Sequence, residues 1–264
     1  MNYAHLEAFR SWFENHVKGY RSDDREVQAA MRLKEEHTGR VCANIVRIGR
    51  SLNLNNADLF LAEAIALFHD VGRFRQFAVY HTFSDRRSEN HALLSLRELD
   101  ESGVLFVLPE EERFIVTKAV ECHNLRELPS DLPDRCLLHA RLIRDADKLD
   151  ILMLFTDECT HKDGRPDPLL VPEPPDDPGY SPALVENLLQ QRRSSYGEIK
   201  SFGDRKLLYL SWVYDVNFSH TLSEITGNGY IEKIIGSLPD TAGIRAVRDH
   251  LTAYIAARLT PTPE

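Results

Sequence analysis

Leu33, Val41, Ile45, Ile48 and Leu52 follow one another at steps of eight, four, three and four residues, the spacing of one face of a long helix. The same period recurs at 93–99 and 114–120, through Leu137, Ile143, Ile151 and Leu154, and again at 207–216 and 244–259. Alternating apolar and polar positions, the mark of a half-buried strand, are scarce. The pattern predicts an all-α protein with about nine to eleven helices. One segment interrupts it. Residues 164–182 read GRPDPLLVPEPPDDPGYSP and hold seven of the thirteen prolines, so they form neither helix nor central strand. Such a stretch is either a linker between helical parts or a loop draped over a cleft. Leu169, Leu170, Val171 and Tyr180 give it side chains to bury and favour an ordered connection. No internal repeat is visible.

Several function classes drop out on composition. No apolar run exceeds five residues, where a spanning helix needs about twenty, so no membrane segment is expected. The first residues, Met1-Asn2-Tyr3-Ala4-His5, lead into an amphipathic stretch charged at Glu7, Arg10 and Glu14, unlike the continuous apolar run of a signal peptide. Cys42, Cys122, Cys136 and Cys159 form no C-x-x-C pair, which points to reduced thiols and a cytoplasmic protein. Cys122 reads as a small core residue rather than a nucleophile. Against 41 Asp and Glu stand 32 Lys and Arg, a formal charge of −9, which argues against a sequence-independent grip on a nucleic-acid polymer. A small phosphorylated ligand stays compatible, because a local cationic pocket can sit in an acidic protein.

The chemistry is concentrated in histidines and aspartates. His69-Asp70 closes the apolar stretch 59–68, and Val71-Gly72-Arg73-Phe74 follows, with Gly72 allowing a sharp exit from the helix. His37 lies one turn from both Leu33 and Val41 and so points inward. Asp147 shares a stripe with Ala140, Ile143, Ile151 and Leu154; a buried carboxylate there needs a cation or several donors, with Arg144 or Lys148 as the ordinary salt-bridge partner. Asp145 falls on the more polar face, and Asp150 borders the stripe and competes with Asp147 as the inward acid. His91 opens a helix, and His123 ends one, where an imidazole also serves as a cap. Imidazole with carboxylate is the ligand set of a divalent ion such as Mn, Fe, Co, Ni or Zn. Among the rest, His5, His16, His220 and His250 read as exposed or capping. His81 could touch a substrate, His139 could neighbour the site, and His161 adjoins the Pro-rich loop.

His37, His69, Asp70 and Asp147 match, residue by residue, the H…HD…D pattern of the HD-domain superfamily of metal-dependent phosphohydrolases, which the chain resembles. Ala146-Asp147-Lys148-Leu149 has the small residue before, and the basic residue and leucine after, that surround the family's last aspartate. His91 and His123 fall where the binuclear branch places two further histidines. HDVGRF at 69–74, then Thr82-Phe83-Ser84-Asp85 and Ser88-Glu89-Asn90-His91, together with LLYLSWVYDVNF at 207–218, are similar to an uncharacterised subgroup of predicted HD hydrolases. His123 is followed by Asn124 and no Gly-Tyr-Pro is present, which argues against cyclic-dinucleotide hydrolysis.

The resemblance implies an HD-type helical bundle as a single domain over 1–264, with the HD core at about 25–160, the Pro-rich loop at 164–182 and a helical C-terminal extension at 183–260. It implies one or two divalent ions (Mn, Fe, Co, Ni, Zn or Mg), the first on His37, His69, Asp70 and Asp147, the second on His91 and His123, with Asp70 bridging. The implied substrate is a small nucleotide, phosphomonoester or phosphodiester, attacked by a metal-activated water. His69, Asp70, Lys148 and Arg73 are the expected catalytic residues, the last two as phosphate clamps. Arg75, Arg86, Arg87 and Lys118 are further candidate clamps, equally well read as solvated surface. Two alternatives stay open: an HD-fold di-iron oxygenase, and a non-catalytic module that binds a nucleotide or a partner. The oligomeric state is open too, a homo-oligomer included.

Overall fold

The structure, a computed structural model, describes residues 1–160 and 179–260. Most of the Pro-rich segment, with Leu169, Leu170, Val171 and also His161, lies outside the described residues. Among those described, the chain forms twelve α-helices and short 3₁₀ turns, with no strand. The all-α expectation holds, and the helix number is slightly higher because the C-terminal part breaks into short pieces. No described helix is long and apolar enough to cross a membrane. Packing divides the chain into two compact units, Met1–Asp150 and Ile151–Glu264.

The first unit is built round one helix. α1 (Tyr3–Lys18) starts on Asn2, whose side chain accepts from the His5 amide, and it buries Leu6, Phe9, Phe13 and Val17 on one face. α2 (Arg25–Ser51) starts on Asp24, which caps the Glu26 and Val27 amides. Its inner face carries Val41, Ile45 and Ile48 with no exposed surface, whereas Leu52, at the end of the expected stripe, is the C-cap and is exposed. α3 (Asn56–Phe68) is apolar nearly all round, with Leu61, Ala62 and residues 64–68 buried. A helix of that kind belongs in the middle of a core, and α3 packs on α1, α2 and α6 (Glu110–Cys122). The His69-Asp70 pair therefore leaves the central helix inside the protein rather than at its surface.

The chain continues from α3 through right-handed backbone at His69 and Val71 into α4 (Gly72–Tyr80). Gly72 is not needed for a left-handed exit. A Cβ there would lie 2.4 Å from the Ser95 amide nitrogen and 2.7 Å from the His91 carbonyl oxygen, so the glycine lets α4 touch the backbone of α5 (His91–Ser102). Ser95, fully buried, locks the same corner: its hydroxyl accepts from the Gly72 amide at 2.9 Å and donates to the His69 carbonyl at 2.9 Å. Because the atoms a Cβ would meet are backbone, Gly72→Ala is expected to lower stability by about 2 kcal/mol or more, as overpacking does. A urea midpoint equal to that of the parent chain would contradict this close-approach role.

The unit is completed by α6 and by the part of α7 (Asp134–Thr160) that runs up to Asp150, whose buried residues include Cys136, Ala140, Leu142, Ile143, Ala146 and Leu149. All four cysteines are free, and burial pushes the Cys122 thiol up, in keeping with an inert core residue. In the second unit α8 (Pro182–Leu189) packs on α9 (Phe202–Ser211) and α12 (Ala242–Leu259), and α10 (Ser219–Gly227) packs on α11 (Tyr230–Gly236) and α12. Buried Asp204 holds the entry to α8 by accepting from the Ser181 amide and hydroxyl, and the Tyr180 hydroxyl pairs with Thr241 at 2.5 Å. These contacts hold the described end of the Pro-rich segment, and the rest of the ordered connection expected there lies outside the described residues.

Candidate metal centre

Two helix C-termini build half of the site by the same local device. His69 is the C-cap of α3 and His123 the C-cap of α6. Each Nδ1 donates at 2.7 Å to the carbonyl three residues earlier, Ala66 and Val120. The carbonyls at a helix end lack intrahelical donors, so an imidazole is a natural partner for them. With the proton fixed on Nδ1, each Nε2 carries a bare lone pair aimed into the core. Capping and ligand geometry are thus one arrangement rather than rival readings of His123. Arg144 steadies the end of α6 by donating to the carbonyls of Cys122, His123 and Leu125.

Carboxylates orient the other two imidazoles. His37 Nδ1 donates to Asp150 Oδ2 at 2.6 Å, and Arg40 Nε holds Asp150 from behind at 2.6 Å. His91 Nδ1 donates to Asp85 Oδ2 at 2.7 Å, while the other Asp85 oxygen accepts from Arg73 at 3.0 Å and Gln76 at 2.9 Å. An ionised carboxylate only accepts, so these contacts also leave Nε2 bare. His91 and His123 are pushed down to about 4, first by burial and then by neighbouring charge, Arg73 for His91 and His69 for His123. Burial likewise lowers His69. Burial and Lys34 lower His37, but its hydrogen bonds to Asp147 and Asp150 win and raise it.

The four Nε2 atoms converge on Asp70, which is buried. Its Oδ2 lies 3.6 Å from His37 Nε2 and 3.7 Å from His69 Nε2. Its Oδ1 lies 3.5 Å from His91 Nε2 and 3.8 Å from His123 Nε2. Asp147 Oδ1 joins the first group, 3.2 Å from His37 Nε2 and 3.9 Å from His69 Nε2. Burial alone would raise Asp70, but Lys34, His69, Arg73 and His91 hold it well below the carboxylate range; the His37 hydrogen bond does the same for Asp147.

His37 and His69 Nε2 stand 3.3 Å apart, and His91 and His123 Nε2 2.9 Å apart. Two bare lone pairs facing each other at such distances repel unless a cation lies between them. The donor set is imidazole nitrogen with carboxylate oxygen, with every imidazole oriented through its other nitrogen, which is how protein metal sites are supported. Two groups, His37 with His69 and Asp70, and Asp70 with His91 and His123, could each hold a metal ion.

The remaining candidates sort by helical phase. Arg73, one turn beyond Asp70, has its Nε 3.5 Å from Asp70 Oδ1. Its NH1 is divided among Gln76, the Phe83 carbonyl and Asp85. Lys148 is buried and donates to the Arg144 carbonyl at 3.5 Å, one turn back. Arg75 points the other way, to Glu98 and Glu101, and Lys118 pairs with Glu121 at the surface. Neither reaches the cluster as a clamp. Arg86 and Arg87 are exposed in a 3₁₀ turn beside Asp85. His139 faces Asp58 near the start of α3, at the opposite end from the site. His81 is an exposed C-cap of α4. His5, His16, His220 and His250 are half-buried rather than exposed. Asp145 is fully buried, against the polar face expected for it.

Sequence reasoning passed over the supports. Asp85 stands in the Thr82-Phe83-Ser84-Asp85 stretch without a stated role, and Gln76 carries no signal except its place after the HD pair. Asp150 competed with Asp147 as the inward acid, and in the structure both point in, one orienting His37 and one facing it. Lys34 was missed outright. Its Nζ donates to Asp70 Oδ2 at 2.8 Å, and the signal was its position one turn before His37 on the same helix face.

Residues 35–152 match the family model of the HD domain and contain all six converging residues. That segment is similar to the HD domain, a family whose members are mostly metal-dependent hydrolases. No curated protein and no solved structure gives a significant match.

Proposed function

We propose that the chain is a metal-dependent phosphohydrolase of small phosphorylated substrates, with two divalent ions held on either side of Asp70. The observation that carries this reading is the pair of facing Nε2 atoms on each side of one buried carboxylate, each imidazole locked by a support on its other nitrogen. His37, His69, Asp70 and Asp147 would hold the first ion, and His91, His123 and Asp70 the second. Bound there, divalent ions supply Lewis-acid polarisation of a phosphoryl oxygen and an activated water.

The protein's own share is positional. Asp70 sets the two sites side by side by dividing its oxygens. Asp150 and Asp85 keep the Nδ1 protons in place and so keep Nε2 available. Arg73 braces Asp70 against Asp85 and brings positive charge beside a phosphate-sized anion. Buried His91 and His123 stay neutral near pH 7 without an external base, which leaves their lone pairs ready. The acidic total of the chain then describes its outer surface, and a small anion suits the centre better than a polymer.

Asp85→Asn and Asp150→Asn are expected to weaken metal binding by about 10- to 100-fold each, the usual effect of losing such a support. Titration of the metal-free variants with Mn²⁺ reads this out, and unchanged affinity would show that the imidazoles need no orientation. The function is tested by phosphate release from a panel of nucleotides, phosphomonoesters and phosphodiesters, with Mn, Fe, Co, Ni, Zn and Mg added singly. Metal-dependent phosphate release is expected. Iron retention with oxygen-dependent loss of a substrate, and no phosphate release, would instead establish the oxygenase alternative.

A further inference from the structure

Lys34 is the cation most intimately placed at the centre, and none of the roles above uses it. It sits on α2 one turn before His37, with its side chain 17% exposed, at the boundary between core and solvent. Its ammonium donates to Asp70 Oδ2 at 2.8 Å and lies 5.3 Å from the centroid of the Phe83 ring. Asp70 Oδ2 is also the oxygen that faces His37 and His69.

A divalent ion between those two imidazoles and Oδ2 would draw on the same carboxylate oxygen and repel the ammonium next to it. Lysine keeps its charge on a flexible four-carbon stem, so its head can move while the stem stays in place. The Phe83 ring face gives the displaced ammonium a local hold that keeps it at the site. What it then lacks is an anionic acceptor. Of the other cations considered near the site, Arg73 is committed to Asp85 and Phe83, Arg75 to Glu98 and Glu101, and Lys118 to Glu121, while Lys148 donates to the Arg144 carbonyl and Arg86 and Arg87 are exposed.

We propose that Lys34 is the phosphate clamp of this centre, a positioning and binding residue that gives up Asp70 when a divalent ion arrives and takes a phosphoryl oxygen of the substrate instead. The inference rests on the metallohydrolase reading above. Lys34 acts through its charge alone and moves no proton. It makes metal and lysine competitors for one oxygen, as any counter-ion of Asp70 would be, and it makes metal and phosphate cooperative, which a merely structural counter-ion would not do.

The test is a pair of titrations on the full chain and on Lys34→Met and Lys34→Arg: Mn²⁺ into metal-free protein, then inorganic phosphate into Mn²⁺-loaded protein. Lys34→Met removes the competing cation, so it is expected to bind Mn²⁺ roughly threefold or more tightly. It is expected to bind phosphate about 10-fold or more weakly, the ordinary worth of a charge-assisted hydrogen bond. Lys34→Arg should recover most of the phosphate affinity. Weaker Mn²⁺ binding by Lys34→Met, or unchanged phosphate affinity, would overturn the inference and leave Lys34 as a counter-ion of Asp70. Absence of Mn²⁺ binding by the parent chain would overturn the metal reading itself, a different result from either of these.

Discussion

Asp70→Ala is expected to lose both bound ions and turnover together. Asp70 gives Oδ2 to the side of His37 and His69 and Oδ1 to the side of His91 and His123, so one substitution opens both clusters. His91→Ala, by contrast, removes a ligand from the second cluster alone. A metal centre contributes several kcal/mol of transition-state stabilisation, so turnover should fall by about a thousandfold or more. Asp70→Asn is the companion variant, because it keeps the shape of the side chain and removes only its charge. It should keep the far-ultraviolet helical signal of the parent chain and still fail to retain two ions. Full activity with full metal content in either variant would sink the ligand assignment.

The second large effect is on stability in acid. In the metal-free protein His91 and His123 are both buried and pushed down to about 4. Their ordinary value in an unfolded chain is about 6.5. Below that value the unfolded chain binds protons that the folded chain refuses, so folding stability rises with pH. The contribution is complete above pH 6.5 and is lost as pH falls towards about 4, on the order of 3 kcal/mol for each imidazole. His37 works in the opposite sense, since its raised value adds stability at low pH that fades as pH rises. Asp70, Asp85 and Asp147, all lowered, contribute above the ordinary carboxylate range and are lost only at still lower pH. Between pH 6.5 and 4 His91 and His123, joined by the lowered His69, work in the same direction. Against a typical total of about 5–15 kcal/mol, such a loss brings the metal-free chain close to unfolding. Urea midpoints taken between pH 7.5 and 4.5 should fall steeply below pH 6.5, and the fall should flatten in His91→Asn. Bound metal should oppose the loss, because it selects the neutral imidazoles. A midpoint independent of pH in the metal-free parent would contradict the buried, neutral state of these two residues.

How far the sequence speaks depends on the kind of information asked of it. Helical period is a local property, and it identified the buried face of α2 through Val41, Ile45 and Ile48 and turned His37 inward. The order H…HD…H…H…D placed all six converging residues, because each sits at a phase or a helix end that the sequence makes visible. What failed was adjacency in space inferred from adjacency in sequence. Arg75 is two residues past Arg73, which on a helix turns it to the far side, where Glu98 and Glu101 meet it. Lys118 precedes His123 but leaves the helix towards solvent. Lys34, distant from Asp70 in sequence, is the lysine that touches it. Gly72 was read as a helix exit because glycine so often serves there, yet its reason is the α5 backbone across the corner, which no local pattern announces. Asp145 was assigned by stripe to a polar face and is buried, since the packing around α7 leaves little of this stretch to solvent.

The central claim is that the cluster is a two-ion metal centre. Its most direct test is the number of divalent ions per chain, measured by equilibrium dialysis and elemental analysis on the parent protein, His91→Ala and Asp70→Asn. The account predicts two ions in the parent, one in His91→Ala and none firmly held in Asp70→Asn. A parent chain that retains no divalent ion, or an Asp70→Asn chain that retains as many as the parent, would contradict it.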